Sequence, residues 1–395
     1  MREREKAEPS FAFINAVAAP ASVPPIEIGD ASKPPRRKWG QPRTCQLCWR
    51  DLGTGCSGEK GLWETRRGYL NRSRSKCHAR SLLALVHREK PDNHHVMGAR
   101  KIAFLNCKGG VGKTSLAVNI AAALAKEEKQ RVLLVDMDAQ CNASIWLMGI
   151  PRWLVLDGML NRTVCAFFKT KFFLSGAIHK SVLEMGNPTR KVLDRLDLIP
   201  AIYDLLDLDH GPEKKGATPY YLEFYRQIDP LTQQYDYIIF DCPPALGRAS
   251  KCAAFSSPEI YIPAHPDFLS SLGIKLLSER LGEFLREAKP AAQQITPKWR
   301  PTKVRGVILN AVPATADTHD AKNNIRTRLK HEQGSTAFSS NALILPIEVR
   351  ESVAATRLAG KFSTTGVPAV LAASDNPGLA DDYIKLAHYI HTHPL

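Results

Sequence analysis

The 395-residue sequence lacks any hydrophobic run that approaches the roughly 18 residues of a membrane-spanning helix. It also lacks a disulfide framework, because its nine cysteines are odd in number and the chain is long. Its start imitates a secretory signal poorly, since glutamates dilute the basic region and the short apolar stretch contains Asn15. We therefore expect a cytoplasmic protein with reduced cysteines.

Acidic residues are scarce beside basic ones, with 39 Asp and Glu against 54 Lys and Arg and a net charge of +15. Residues 1–97 hold 18 basic and 10 acidic residues, and the remaining 298 hold 36 and 29. Such a balance points to a polyanionic partner such as nucleic acid. A solvated basic surface is the alternative.

The first 97 residues have little periodic apolar patterning and contain the proline-rich stretches "APASVPP" and "SKPPRRKWGQPR". This composition predicts a poorly ordered basic segment at residues 1–97, followed by a compact domain at residues 98–395. The stretch "MGARKIAFLN" itself looks like the beginning of a domain. Met97 is therefore an alternative translation start.

The amino-terminal segment contains a candidate zinc site. Cys45 and Cys48, in "CQLC", have the spacing of a zinc knuckle, and Cys77 could supply a third thiolate. We assign the fourth position to His87. The other candidates are His78 and Cys56, and ordinary thiols without Zn²⁺ are the alternative.

From residue 101 onward, apolar runs alternate with helical stretches. The runs "KIAFLN", "RVLLVD", "LDLIPA", "YDYIIFD", "EIYIPA", "VRGVILN" and "ALILP" are continuous rather than alternating, as in parallel strands that are buried on both faces. Helical patterns include "SLAVNIAAALAKEE", "LGIKLLSERLGEFLREA" and "GLADDYIKLAHYIHTH". Strands that alternate with helices predict an α/β fold with a doubly wound, mostly parallel sheet.

A glycine-rich loop, "KGGVGKTS", stands between the first strand and the first helix. Its glycines let the backbone N–H groups point inward toward phosphates, and the helix N-terminus adds positive potential. Lys113 is placed to contact the β- and γ-phosphates, and the Thr114 hydroxyl to bind Mg²⁺. We expect nucleotide contacts from Lys108, Gly109, Gly110, Val111, Gly112, Lys113, Thr114 and Ser115.

Carboxylates end two further strands. Asp136 and Asp138 close "LLVDMDAQ", and Asp241 closes "IIFDCPP". Ligands bind at the carboxyl ends of the strands in such a sheet, where acidic groups can hold the shell of a magnesium ion. Strand-end aspartates are also common turn formers. Each aspartate motif alone is therefore weak evidence for a nucleotide site, and the three motifs are strong evidence only in combination.

Together, "KGGVGKTS", "VLLVDMDAQCNAS", "LDLIPA", "YDYIIFDCPPALG" and "YIPAHPDFLSSLGIKLL" resemble the signature segments of the ParA/MinD family of P-loop ATPases. The likeness spans roughly residues 99–392. It implies an ATPase that binds ATP and Mg²⁺ and forms a homodimer around ATP. The early lysine of this deviant Walker A loop, Lys108, would then reach the partner's nucleotide and assist catalysis with Lys113 and Asp138.

The resemblance also implies roles for residues outside the loop. Asp138 matches the carboxylate that positions the attacking water, and Asp136 and Asp241 match residues near Mg²⁺. Asn310 matches a residue that reads the adenine edge, and Pro346 lies where the base is flanked; an ordinary turn residue is the alternative for Asn310. The sequence departs from the family pattern at two positions, with Ala139 in place of the usual proline and Cys141 where glycine is common.

Within the family, the ParA branch fits best. The cysteines of the ATPase domain include no C-x-x-C pair for a cluster, and the tail reads as a packed helix rather than a membrane-targeting one. Membership of this branch implies a partition ATPase that is associated with the nucleoid. Its expected partners are DNA, bound without sequence specificity, and a ParB-like protein, and no membrane association is expected. The alternative is a MinD-like switch that recruits proteins to a membrane or cell pole without binding DNA.

Basic residues near the carboxyl terminus are candidates for DNA contacts, because a stripe of cations can neutralise phosphates without reading sequence. A solvated helix face is the alternative. The candidate residues are Lys322, Arg326, Arg328, Lys330, Arg350 and Arg357.

Overall fold

The computed structural model describes residues 98–170, 172–181, 193–209, 218–295, 299–352, 366–374 and 376–394. Within these ranges, seven parallel strands form one sheet in the order β3-β2-β4-β1-β5-β6-β7. They are β1 Arg100–Phe104, β2 Val132–Asp136, β3 Leu196–Ile199, β4 Tyr237–Asp241, β5 Glu259–Ala264, β6 Lys303–Leu309 and β7 Phe338–Ile344. All seven predicted strands are present.

Helices flank the sheet. They are α1 Lys113–Lys126, α2 Asn142–Met148, α3 Ile150–Leu154, α4 Leu205–Asp209, α5 Tyr220–Ile228, α6 Arg248–Ser256, α7 Phe268–Glu287, α8 Lys289–Gln293, α9 His319–Glu332 and α10 Pro377–Thr392. Short 3₁₀ helices add Leu160–Arg162, Leu174–Ala177 and Asp229–Gln233, and a short π-helix adds Ala166–Thr170. None of these described helices has the length and apolarity needed to cross a bilayer.

The strand order explains where a ligand can bind. From β1 the chain passes outward through β2 to β3, and from β5 it passes outward in the other direction to β7. The order reverses around β1, which is the doubly wound arrangement predicted from the sequence, and such a reversal opens a crevice at the carboxyl ends of the strands. The loop after β1 therefore lies at the centre of that crevice.

The core owes its stability to strands that are apolar along their whole length. Every residue of β2, β4 and β5 is buried, as the continuous apolar runs predicted. The alanine-rich α1 packs on the sheet and on α10, which buries Leu386 and Ile390. Arg100 fastens this last helix, since its guanidinium donates to the Ile390 carbonyl and pairs with Glu259 at 2.7 Å.

Candidate functional site: a nucleotide-binding loop and its carboxylates

The glycine-rich loop connects β1 to α1 at the centre of the carboxyl edge. Gly110 and Gly112 have φ angles of +73° and +86°, a conformation that glycine adopts without strain. Gly112 also lies against Asn310, because a Cβ at this position would stand 2.1 Å from the Asn310 amide nitrogen. Two physical constraints thus require glycine at 112, and the loop curls as a phosphate-binding loop does.

The two lysines of the loop lie in different environments. Lys113 is buried, with 7% of its surface exposed, and its ammonium donates to the Lys108 carbonyl at 3.2 Å. Burial lowers the pKa of Lys113, while the nearby Asp241 and Asp138 oppose that shift. The Lys108 side chain is 29% exposed, and its ammonium contacts Asp267 at 2.6 Å. One lysine therefore points into the loop and the other lies on its rim.

Lys108 is held toward the corner between β5 and α7. Its backbone N–H donates to the Asn106 side chain at 3.0 Å, and Asn106 donates to the Pro263 carbonyl at 2.7 Å. Asp267 caps α7 by accepting from the Ser270 N–H at 2.7 Å. Although partial burial disfavours the Asp267 anion, the bonds from Lys108 and Ser270 lower its pKa. The ionised carboxylate thus serves both the lysine and the helix.

Asp136 is a fully buried carboxylate whose two oxygens both accept hydrogen bonds. One oxygen accepts from the Ser144 N–H at 2.9 Å and its hydroxyl at 2.6 Å, and the other accepts from the Asp138 N–H at 3.1 Å. Burial raises the pKa of Asp136 to about 7, and the bonds from Ser144 and Asp138 limit that rise. Asp136 therefore organises the turn that carries Asp138.

Asp241 is its neighbour on β4, paired with Asp136 in the parallel register. Both Asp241 oxygens are buried, and no donor among the described residues is placed to hydrogen-bond with them, although the Thr114 hydroxyl lies nearby. Burial raises the pKa of Asp241 well above its usual value, and the Asp136 carboxylate adds to the rise. A buried carboxylate without partners is costly unless a cation compensates it, so this position fits a hydrated divalent ion.

The donor set suits Mg²⁺ better than a fully protein-bound metal. Among the residues that the structure describes, no group of three or more His, Cys, Asp or Glu side chains is arranged to hold a metal ion. Mg²⁺ usually keeps several waters and takes one or two protein oxygens together with phosphate oxygens. The Thr114 hydroxyl lies close enough to Asp241 to lower its pKa, so two of the three residues predicted at the magnesium site are neighbours.

The turn after β2 holds Asp138 and Cys141. Asp138 is 7% exposed, and its side chain accepts from the Gln140 N–H at 2.9 Å. Cys141 has a φ of +57°, a conformation typical of glycine, and its thiol donates to the Ala139 carbonyl at 3.2 Å. The turn therefore keeps its shape with cysteine where the family commonly has glycine, at the cost of a strained residue.

The two residues predicted to contact adenine follow adjacent strands. Asn310 follows β6, and its amide donates to the Val111 carbonyl at 3.1 Å, so it braces the glycine-rich loop. Pro346 follows β7 and is exposed. The structure places both at the carboxyl edge, and their contact with adenine stays a prediction.

The candidate DNA contacts are divided by ion pairing. Arg326 and Lys330 are exposed one turn apart on α9. The other three described cations pair with carboxylates: Lys322 with Glu348 at 2.8 Å, Arg328 with Glu332 at 3.7 Å and Arg350 with Asp382 at 2.7 Å. The predicted residues Arg357, Cys45, Cys48, Cys77 and His87 lie outside the described residues.

Sequence reasoning missed three residues that shape the site: Asn106, Ser144 and Asp267. Asp267 carries a recognisable signal, because an Asp just before an amphipathic helix is a preferred N-cap. Asn106 carries none, since its carbonyl partner Pro263 lies 157 residues away, and Ser144 carries none, since a serine eight residues after an aspartate has no recognisable pattern.

The part of the chain that carries the site is similar to known proteins. A family model described as an AAA domain matches residues 99–294. A ParA family protein of Mycoplasma pneumoniae is 31% identical over 247 residues, covering 61% of this chain and 85% of that protein. The chromosome partitioning protein ParA of Myxococcus xanthus is 34% identical over 188 residues, covering 46% of this chain and 58% of the relative.

A solved structure shares the fold. Cobyrinic acid a,c-diamide synthase from Mycobacterium smegmatis, with bound ADP and magnesium, aligns with a TM-score of 0.52 and 22% identity. The alignment covers 75% of this chain and 95% of the synthase. At this identity the likeness concerns the fold alone.

Proposed function

The chain belongs to the ParA family of P-loop ATPases, and we propose that it is an ATP-hydrolysing DNA-partition protein. In its ATP state two copies associate and bind DNA without reading sequence. Hydrolysis, stimulated by a ParB-like partner, then separates the copies and releases the DNA. The relative from Myxococcus, named as a chromosome partitioning protein, supports this assignment.

The observation that carries the proposal is that the two lysines of the loop lie in different environments. Lys113 is buried inside the loop, where it and the loop amides bind the phosphates of the chain's own ATP. Lys108 is partly exposed on the rim, where it can meet the phosphates of a second copy. Phosphoryl transfer depends on positioning and charge neutralisation, so a lysine supplied by the partner makes hydrolysis depend on dimerisation.

The remaining site residues have matching roles in this proposal. Thr114 and Asp241 would hold Mg²⁺, with Asp241 acting through water, and Asp136 holds the turn beside them. The bound ion supplies positive charge that neutralises the β- and γ-phosphates. Asp138 orients the attacking water from the turn that Asp136 fixes.

Exposed apolar side chains support a face that a second copy covers. They follow the carboxyl ends of strands on both sides of the loop: Tyr203 and Leu206 after β3, and Phe268, Leu269 and Leu272 after β5, each between 47% and 62% exposed. Soluble monomers seldom leave such groups uncovered without a function. A symmetric dimer would bury both groups around the two nucleotides.

DNA binding is the part of the proposal that a competing function challenges. Three of the five described candidate cations are paired with carboxylates, which favours a MinD-like positioning switch without DNA. However, α10 packs its apolar face on α1 and is not free to lie on a membrane. Arg326 and Lys330 remain accessible for phosphates.

Binding to random duplex DNA separates the two functions. We expect the protein to bind with ATP and far more weakly with ADP or no nucleotide, with affinity falling steeply as salt rises. Arg326→Ala with Lys330→Ala should reduce the slope of log affinity against log salt by about 2, because each phosphate contact contributes about 0.9. Lys289→Ala, an exposed cation at the start of α8, is the matched control. Equal binding in all nucleotide states would remove the partition proposal.

A further inference from the structure

The segment at residues 201–209, between β3 and the end of α4, is tied to the nucleotide site at its beginning. The Ala201 N–H donates to the Ser144 hydroxyl oxygen at 2.8 Å, and that hydroxyl donates to Asp136 at 2.6 Å. Ser144 is fully buried. The beginning of the segment is therefore connected through Ser144 to the turn that carries Asp136 and Asp138.

The same segment is tied to the site at its other end. Asp209 accepts a hydrogen bond from the Ala249 N–H at 2.5 Å, across 40 residues of sequence. Ala249 lies in the first turn of α6, whose N-cap Gly247 has no side chain to offer. A Cβ at Gly247 would stand 2.1 Å from an Asp209 oxygen. Asp209 thus replaces the local cap of the helix that follows the Asp241 loop.

We propose that Ser144 and Asp209 are positioning residues through which segment 201–209 fixes the two carboxylate loops of the nucleotide site. Ser144 holds the turn of Asp136 and Asp138, and Asp209 holds the far end of the loop that begins at Asp241. We call these two contacts, at Ser144 and at Asp209, the brace. The brace connects both loops to segment 201–209 and lies outside the glycine-rich loop. This inference rests on the proposed ATP hydrolysis for its kinetic consequence, but its structural consequence is independent of it.

The physical reason is the sensitivity of phosphoryl transfer to geometry. The reaction gains most of its rate from positioning and preorganised charge, and a shift of about 1 Å can cost about 10²-fold. Nucleotide binding is less sensitive, because it depends on the glycine-rich loop and Lys113, which segment 201–209 does not contact in any hydrogen bond of the described residues. A lost brace should therefore lower kcat more than it raises KM.

The kinetic test compares Asp209→Ala with Asp209→Asn and with Asp207→Ala, a matched control exposed on the same helix. We expect Asp209→Ala to lower the kcat of ATP hydrolysis at least about tenfold, with KM within about twofold. Asp209→Asn should keep most of the activity, because Asn caps helices as well as Asp does. Ser144→Ala should resemble Asp209→Ala. Unchanged kcat in Asp209→Ala would overturn the proposal.

A second substitution, Gly247→Ala, disturbs the contact between Asp209 and the start of α6 from the side of the helix. Gly247→Ala should displace Asp209 and give the same loss of kcat, and Gly247→Ala combined with Asp209→Ala should lose no more than either change alone. Additive losses would overturn a shared role. If Asp209→Ala fails to fold, Gly247→Ala alone still tests the contact, and an unchanged kcat in Gly247→Ala would overturn the proposal.

A nucleotide-free measurement separates this inference from the proposed function. Hydrogen–deuterium exchange of the amides at residues 242–250 should accelerate at least about tenfold in Asp209→Ala and stay unchanged in Asp207→Ala. If the parent protein hydrolyses no ATP, the proposed function fails while accelerated exchange still supports the brace. Unchanged exchange overturns the brace whatever the activity.

Discussion

Lys108 and Lys113 stand five residues apart in one loop, yet their surroundings differ in kind. Lys113 is buried, donates to a backbone carbonyl of its own loop and faces the carboxylates of Asp138 and Asp241. Lys108 is partly exposed and pairs with Asp267, itself 40% exposed. An exposed ion pair is worth only about 0–1 kcal/mol, so Lys108 can leave it at little cost. Under the proposed function, the difference teaches that Lys113 serves the nucleotide of its own copy and that Lys108 can leave Asp267 to contact the nucleotide of a second copy.

The largest effect should follow the loss of the buried lysine. Lys113→Ala should weaken ATP binding about 10²-fold or more, because a buried charged contact of about 3 kcal/mol is lost. Isothermal titration calorimetry measures the affinity, and Lys126→Ala at the other end of α1 is the control. Binding at the affinity of the parent would mean that the loop does not hold the phosphates.

A second change removes the carboxylate that faces Lys113. The raised pKa of Asp241 means that the native protein holds a proton that the unfolded chain releases near pH 4. The resulting stability is present at low pH and is lost as pH rises through the native pKa. Asp241→Asn should therefore raise the melting temperature of the nucleotide-free protein at pH 8 by about 2 °C or more, and by nothing near pH 4.

The measurement for Asp241→Asn is a thermal melt in EDTA at both pH values, with Asp207→Asn as the control. The same variant should lose Mg²⁺-dependent hydrolysis. A variant that is less stable than the parent at pH 8 would contradict the unpartnered carboxylate.

A smaller effect should follow release of Lys108, the partly exposed lysine. Asp267→Asn keeps an N-cap for α7 but removes the negative charge that holds Lys108. The ATP concentration at which half of the protein dimerises should fall about two- to threefold, since the pair that must break is worth at most about 1 kcal/mol. Light scattering across an ATP series measures this midpoint. A higher midpoint would mean that Asp267 assists dimerisation.

Much of the fold was predictable because its signals are local. Continuous apolar runs gave the seven parallel strands, and the glycine-rich loop between a strand and a helix gave the centre of the site. The three strand-end aspartates converge because parallel strands end at one edge. Each of these inferences needs only a short stretch of sequence.

The contacts that distinguish the residues from one another were not predictable. Asp136 and Asp241 look alike in sequence, but only the first meets a serine eight residues along the chain, which satisfies its oxygens. The pairing of Lys108 with Asp267 and the capping of α6 by Asp209 join residues 159 and 40 positions apart. Such pairs follow from strand order and packing, which one sequence does not display.

Lys108→Ala tests the central claim most directly, with ATP affinity measured by calorimetry and dimerisation measured by light scattering in parallel with phosphate release. ATP affinity should stay within about threefold of the parent, because Lys113 and the loop amides remain and alanine keeps the backbone carbonyl that Lys113 contacts. ATP-dependent dimerisation and hydrolysis should be lost, because two facing triphosphates lose their cross-subunit charge. A Lys108→Ala protein that dimerises and hydrolyses ATP like the parent would contradict the account.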